Sequence, residues 1–294
     1  DSPVPFGARR LPGYSRPVMS CRSLQKGETM RILTRSLAAL VSLLSLGLAL
    51  GWLGLRVKAR PFPTVAPGAV PAALPLPAGL PGPVARFARA LYGDRLPAAQ
   101  TAQVVGRAWL APVGGVPLPA RFRFSYDAAS ASYDHDIEVT WFTLPVLRIR
   151  ERNQAGHAWL DLGPLGQVND APRTNRAAIQ GYWAEALAWF PAIALSDARL
   201  RWEAVDDTSA RVHLPGLDAA EALTLRFDAA TGLLSAIDTR RYQNEAQPER
   251  WRWHNRVLAW DTVGGQRVPV QSETQWNEDA PWATWTVEQV VLGA

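Results

Sequence analysis

Cysteine is all but missing from this chain. The single one, Cys21, precedes every stretch with a folding pattern, so no internal disulfide can form and no thiolate metal site can assemble. Lysine is nearly as scarce, at Lys26 and Lys58 only, while arginine is plentiful, a skew that fits GC-rich codon usage. There is no glycine-rich phosphate loop, no G-x-S-x-G nucleophile elbow and no thiol nucleophile beyond Cys21. These absences disfavour an enzyme without excluding one, because a triad can be drawn from distant residues.

Positive charge is unevenly placed. Residues 1–60 hold ten Lys and Arg against two acids, a net of +8, whereas residues 61–294 hold 21 Arg against 24 acids, a net of −3. The high isoelectric point therefore belongs to the N-terminal segment, and the remainder carries no footprint for nucleic acid.

That segment contains twenty uncharged residues, Ser36 to Leu55 (SLAALVSLLSLGLALGWLGL). At 1.5 Å per residue they reach about 30 Å, enough for a bilayer core. Arg31 and Arg35 flank one end, Arg56, Lys58 and Arg60 the other, and Trp52 falls near an interface. Residues 30–60 thus read as a single-pass membrane anchor. The alternative is a cleaved signal peptide ending at Ala59, against which the length of the apolar run argues. Residues 1–29 are polar and patternless and read as a non-native or disordered leader, with Met30 as the start. The near-balanced flanking charges slightly favour a cytoplasmic domain.

Eight prolines in residues 61–83 exclude a helix and predict an extended linker, a stiff tether at about 3.1 Å per residue. Beyond it, Val84, Phe87, Ala88 and Leu91 recur at helical spacing before Gly93-Asp94. The period then changes to two over 120–128, 132–142, 146–152 and 157–163, which predicts an antiparallel meander with one wet face. A helix interrupts it, with Thr174 or Asn175 as its cap and Ile179, Tyr182, Trp183, Ala186, Leu187 and Phe190 as its apolar stripe. Pro191 is placed to end it. Alternation resumes over 198–205, 210–216, 222–228, 233–243, 250–260, 266–276 and 282–291. Around eleven strands with two or three helices, and no second linker, predict one α+β domain over 84–294.

Candidate residues are few. Glu185 lies on the margin of the apolar stripe, where it can act as an acid or base, or pair with an arginine such as Arg241. Twelve of the thirteen tryptophans follow the apolar run, many on strands, as core packing or as the walls of a cavity beneath the 176–190 helix. In RWRWHNR (250–256), alternation puts Trp251 and Trp253 on one face and Arg250 and Arg252 on the other. In DHD (134–136), the two acids point away from His135, so no compact metal site forms.

The runs YWAEALAWFP, LRWEAVDDTSARV, LRFDAATGLLSAIDTRRY and GGQRVPVQSETQW, with the terminal strand Trp282–Val287, resemble an uncharacterised bacterial domain-of-unknown-function family. Its fold is similar to the lipoprotein-localisation-factor group, and the resemblance spans roughly residues 84–294. It implies a strongly curved antiparallel sheet, a half-barrel with covering helices, whose concave side accepts acyl chains or other hydrophobic ligands, and it favours a periplasmic domain. On that basis Tyr182, Trp183, Glu185, Trp189, Phe190, Trp202 and Arg241 are the expected ligand contacts, with Trp183 and Trp202 in the cavity wall. The expected partners are the membrane and a hydrophobic small molecule or acyl chain, with no cofactor, metal or nucleic acid. Three readings follow: a membrane-tethered binding module with a large apolar pocket, an enzyme with a polar cluster at the pocket floor, and a structural or partner-binding domain without a cavity.

Overall fold

A computed structural model describes residues 13, 21–66, 68–111 and 115–294. It divides into two compact units, Asp1–Leu50 and Gly51–Ala294. Most of the expected leader lies outside the described residues. Helix α1 (Cys21–Gly54) contains an apolar stretch, Thr29–Gly54, long and apolar enough to serve as either a membrane span or a signal sequence.

The second unit is dominated, among the described residues, by one open antiparallel sheet. Its strands are β3 (Thr101–Leu110), β4 (Leu118–Asp127), β5 (Ser132–Trp141), β6 (Leu144–Gln154), β7 (His157–Asp161), β8 (Gln167–Asn169), β9 (Arg201–Asp206), β10 (Ser209–His213), β11 (Leu223–Phe227), β12 (Leu234–Arg241), β13 (Trp251–Val263), β14 (Gln266–Trp276) and β15 (Ala283–Gly293). The spatial order is β8-β7-β6-β5-β4-β3-β15-β14-β13-β12-β11-β10-β9. Two meanders thus meet where β15 pairs with β3, and the chain passes from one sheet edge to the other through α3 (Pro172–Trp189) and α4 (Pro191–Ser196).

Alternation sets the two faces. On β4, Phe122, Phe124 and Tyr126 turn inward and Arg121 and Arg123 outward; on β5, Tyr133 and His135 turn inward and Asp136 and Glu138 outward. The register places Arg121 opposite Glu138 and Arg123 opposite Asp136, and both pairs close as ion pairs, at 2.6 and 3.3 Å. Cross-strand charge pairs of this kind fix register while the aromatic face fills the interior.

The sheet is strongly curved. Glu151 on β6 and Arg241 on β12 are seven strand positions apart, about 34 Å in a flat sheet at ~4.8 Å per strand, yet they line one small cavity. The concave face therefore wraps around α3, as a half-barrel would.

The proline-rich segment does not stand free. Phe62 is buried beneath the outward guanidiniums of Arg121 and Arg123, at 4.5 and 5.0 Å from its ring centroid. The Gln289 side chain accepts from the Val65 amide and donates to the Val65 carbonyl, each at 2.8 Å. A short strand β1 (Ala73–Pro75) pairs with β2 (Arg95–Pro97) before and after helix α2 (Gly82–Tyr92). Prolines keep the segment extended, and at Phe62 and Val65 side chains of the sheet's outer face contact it.

Candidate functional site

Helix α3 is the element on which a site can be built. Pro172 occupies its first turn, where a missing N–H costs nothing. Its free amides are satisfied from a distant loop: the Glu245 carboxylate accepts from the amides of Arg173 and Thr174 at 3.0 and 3.1 Å. The expected caps, Thr174 and Asn175, do not cap. Asn175 Oδ1 instead accepts from the Ala158 amide at 2.8 Å, tying the helix to β7. At the far end Phe190 leaves the helical region (φ −145°, ψ 57°), and α4 begins at Pro191, as the proline predicts.

The helix is buried on nearly every side, so it is a core helix inside the curl rather than a lid above it. Its bulky stripe fills space. Tyr182 is fully buried and donates to the Asp127 carbonyl at 3.3 Å, Trp183 lies under Arg199, and Phe190 packs on Tyr126 with centroids 4.3 Å apart. The gap is on another face, where Gly181, Ala184, Glu185 and Ala188 fall at i, i+3, i+4 and i+7 and only Glu185 has a long side chain.

Under that face lies a partly enclosed cavity of about 130 Å³. Its walls come from β4, β5 and β6 on one side (Phe124, Tyr133, His135, Glu151) and β12 to β15 on the other (Arg241, Trp253, Thr274, Trp285). It shares Glu151, Arg241, Trp253 and Trp282 with an outer chamber of about 360 Å³, which continues past Leu160, Val168, Ala177 and Tyr242. The inner chamber alone is below, and the outer one within, the usual range of ~300–1,000 Å³ for small-molecule sites.

The polar groups divide into satisfied acceptors and unsatisfied donors. Tyr126 Oη donates to Glu185 Oε2 at 2.8 Å, and Tyr133 Oη donates to Glu151. Burial pushes both phenols well above their ordinary value, and the neighbouring carboxylates add to it, so both hydroxyls stay protonated donors. His135 is stacked between Phe124 and Tyr133, at centroid distances of 3.9 and 4.0 Å. Its Nε2 lies 3.2 Å from Glu185 Oε2, within ion-pair distance but off the angle of a hydrogen bond. Thr274 Oγ1 accepts from Trp285 Nε1 at 3.0 Å. Among the described residues, however, Trp189 Nε1, Trp282 Nε1 and Arg241 Nε are buried with no hydrogen-bond partner. The Arg241 guanidinium lies 5.4 and 5.8 Å from the ring centroids of Trp253 and Trp276. Burial lowers its pKa, against the opposing pull of Glu151, Tyr133 and Glu185, yet an arginine stays charged in any protein.

Of the seven expected contacts, the structure brings Glu185, Trp189 and Arg241 to the cavity. Tyr182, Trp183 and Phe190 are core packing, and Trp202, on edge strand β9, is partly buried against the core. None of the four lines the two chambers: large side chains fill the interior, and the gap lies where they are small. Glu185 bonds Tyr126 in place of an ion pair with Arg241. Tyr126, Tyr133, Glu151 and Thr274 are not singled out by the sequence, and His135 is weighed there only as a metal ligand, although alternation alone turns Tyr133 and His135 to one face. Alternation also sends Asp134 to Arg152 and Asp136 to Arg148, away from His135. Among the described residues no group of three or more His, Cys, Asp or Glu side chains gathers as a metal site. A larger groove of about 670 Å³ on the outer face is open to solvent, and its Arg226 and Arg252 are already paired with Asp238, so it offers less to a ligand.

A model of a family of unknown function, DUF6544, matches residues 71–287. No curated protein matches the chain. Solved structures that resemble it at low identity include the following three. A DUF1329 family protein from Desulfovibrio piger ATCC 29098 is 10% identical with a TM-score of 0.41, covering 66% of this chain and 86% of its own. A LolA superfamily protein from Nitrosomonas europaea is 10% identical with a TM-score of 0.39, covering 71% and 91%. A beta-barrel-like protein of the DUF1849 domain from Brucella abortus is 6% identical with a TM-score of 0.26, covering 66% and 98%. The unknown-function family expected from the tryptophan-rich runs is thus found, and a LolA superfamily structure is among the neighbours.

Proposed function

We propose, on the premise that this chain belongs to the DUF6544 family, that its sheet domain is a binding module for a molecule with an apolar body and a hydrogen-bond-accepting group. The ligand sits between α3 and the concave face of the sheet. One observation carries this reading: three buried N–H donors without partners, Trp189 Nε1, Trp282 Nε1 and Arg241 Nε, belong to residues lining the same cavity. A buried donor left unsatisfied costs about 1–3 kcal/mol, and an acceptor brought by a ligand would recover that cost. The indole and aliphatic walls of the outer chamber, Trp253, Trp276, Trp282, Leu160 and Val168, suit an acyl chain or other hydrophobic body.

In this reading α1 is a single-pass anchor that holds the module where amphiphiles are concentrated, with the domain on the periplasmic side. Native mass spectrometry of the full chain, extracted from membranes in mild detergent, tests it. The expected spectrum contains a bound amphiphile that organic extraction releases. A ligand-free mass, with a melting temperature unmoved by added amphiphiles, would contradict it.

A second reading, an enzyme acting on the same hydrophobic molecule, draws on the 3.2 Å approach of His135 Nε2 to Glu185, which brings two groups of acid–base chemistry to one cavity wall. It expects Glu185→Gln to accumulate an intact ligand where the wild-type protein holds a cleaved one.

A further inference from the structure

We infer that the cavity selects a neutral acyl carbonyl, an ester or amide, and turns away both oxyanions and plain hydrocarbon, with Arg241 as the residue that reads the carbonyl. The inference rests on the binding reading above and narrows it to a ligand chemistry.

The argument begins with the guanidinium. Arg241 is a charged group packed against the backbone of α3, where a Cβ added to Gly181 would lie 3.9 Å from its Nη1. The same guanidinium stacks on two indoles and leaves a buried Nε without an acceptor. Two carboxylates, Glu151 and Glu185, line the cavity with it and interact with it electrostatically, but each already accepts a hydrogen bond from a buried tyrosine. The charge of Arg241 is therefore compensated at a distance while its hydrogen-bonding capacity is not. What it lacks is an oxygen lone pair rather than a negative charge.

Charge counting then separates the possible acceptors. One guanidinium against two carboxylates leaves the cavity at −1 with His135 neutral and at zero with it protonated. A carboxylate or phosphate would add negative charge opposite Glu151 and Glu185 in a partly enclosed space, where like-charge repulsion exceeds its value in bulk water. A cationic headgroup would meet Arg241 and leave the three donors unsatisfied. A neutral carbonyl has two lone pairs, enough for two of the three unpartnered donors, and it adds no charge. Hydrocarbon brings no acceptor.

Tryptophan fluorescence of the full chain in a non-ionic detergent, titrated separately with methyl palmitate, palmitate, hexadecane and hexadecyltrimethylammonium, tests this. Methyl palmitate should bind roughly tenfold or more tightly than each of the others, the scale of one hydrogen bond to a charged group. Arg241→Met should bring the ester down to the affinity of hexadecane, and Glu151→Gln should improve palmitate relative to the ester. Equal affinities, or tighter binding of palmitate or of the ammonium probe, would overturn the inference while leaving the binding reading intact. No binding of any of the four would sink both. If Arg241→Met does not fold, the ranking of the four probes on the wild-type chain still decides.

Discussion

Glu221→Gln is expected to lower the stability of the domain by about 3 kcal/mol, the lower end of the range for breaking a buried ion pair. Glu221 is fully buried. Its Oε1 accepts from Arg176 Nε at 2.9 Å, Oε2 also bonds Arg176, and Arg250 Nη1 lies 3.2 Å from Oε2. The Asp218 amide donates to the same oxygen, closing a capping box on the short 3₁₀ turn Ala219–Glu221. One carboxylate thus joins α3, that turn and the start of β13. The lower end applies because the Arg176 side chain is about one-third exposed and regains some water once its partner is gone. At 2–4 °C per kcal/mol for a domain of this size, the melting temperature should fall by about 6–12 °C. Acid provides an internal check. Burial acts to raise the Glu221 carboxyl, but hydrogen bonds from Arg176 and the Asp218 amide, with the charges of Arg176 and Arg250, outweigh it and hold the group below its ordinary value. Its contribution is complete above the unfolded value of about 4.3 and is lost as the pH falls through the lower folded value. The gap between wild type and Glu221→Gln should therefore close on acidification; a gap that stays constant would show that the carboxylate charge is not what stabilises the junction.

Gly106→Ala is expected to be at least as damaging, about 3 kcal/mol or more, at the upper end of overpacking effects. Gly106 is in the middle of β3, opposite Val287 where β15 bulges. A Cβ there would lie 2.1 Å from the Thr286 carbonyl oxygen and 2.7 Å from Phe122 Cζ. Phe122 can turn, but the carbonyl belongs to the backbone of the strand that joins the two meanders, and moving it disturbs the junction on which the sheet depends. The expected result is a chain that accumulates poorly and melts well below the wild type by circular dichroism. A melting temperature within a degree or two of wild type would mean that β3 and β15 can separate at this point without cost.

These two sites also show what was legible in advance. Eleven of the thirteen strands of the sheet coincide with stretches whose residues alternate or nearly alternate in the sequence. Strand β3 was missed because both of its faces are covered: Val104 and Val105 are adjacent and both buried, which erases the period-two signal. The short edge strand β8 offers three residues, too few for a pattern. The pairing of β15 with β3, the Glu245 cap on α3 and the convergence of Glu151 with Arg241 all join residues far apart in the chain, and no local window contains them. At the cavity, the apolar periodicity of α3 marks its bulky face, whereas the gap lies on another. Tyr182, Trp183 and Phe190 fill the interior, and Gly181, Ala184 and Ala188 leave room.

The most direct test of that room is quenching of the full chain's tryptophans by methyl palmitate brominated on its acyl chain. Trp189, Trp253, Trp282 and Trp285 all line the inner cavity, so a ligand bound there places its bromines within contact range of several indoles. The comparison is Ala184→Leu, whose three added carbons project into the cavity while the strands that build its walls keep their sequence. The account predicts saturable quenching in the wild-type protein and its loss in a folded Ala184→Leu. Quenching that never saturates, or that survives unchanged when the cavity is filled, would contradict it.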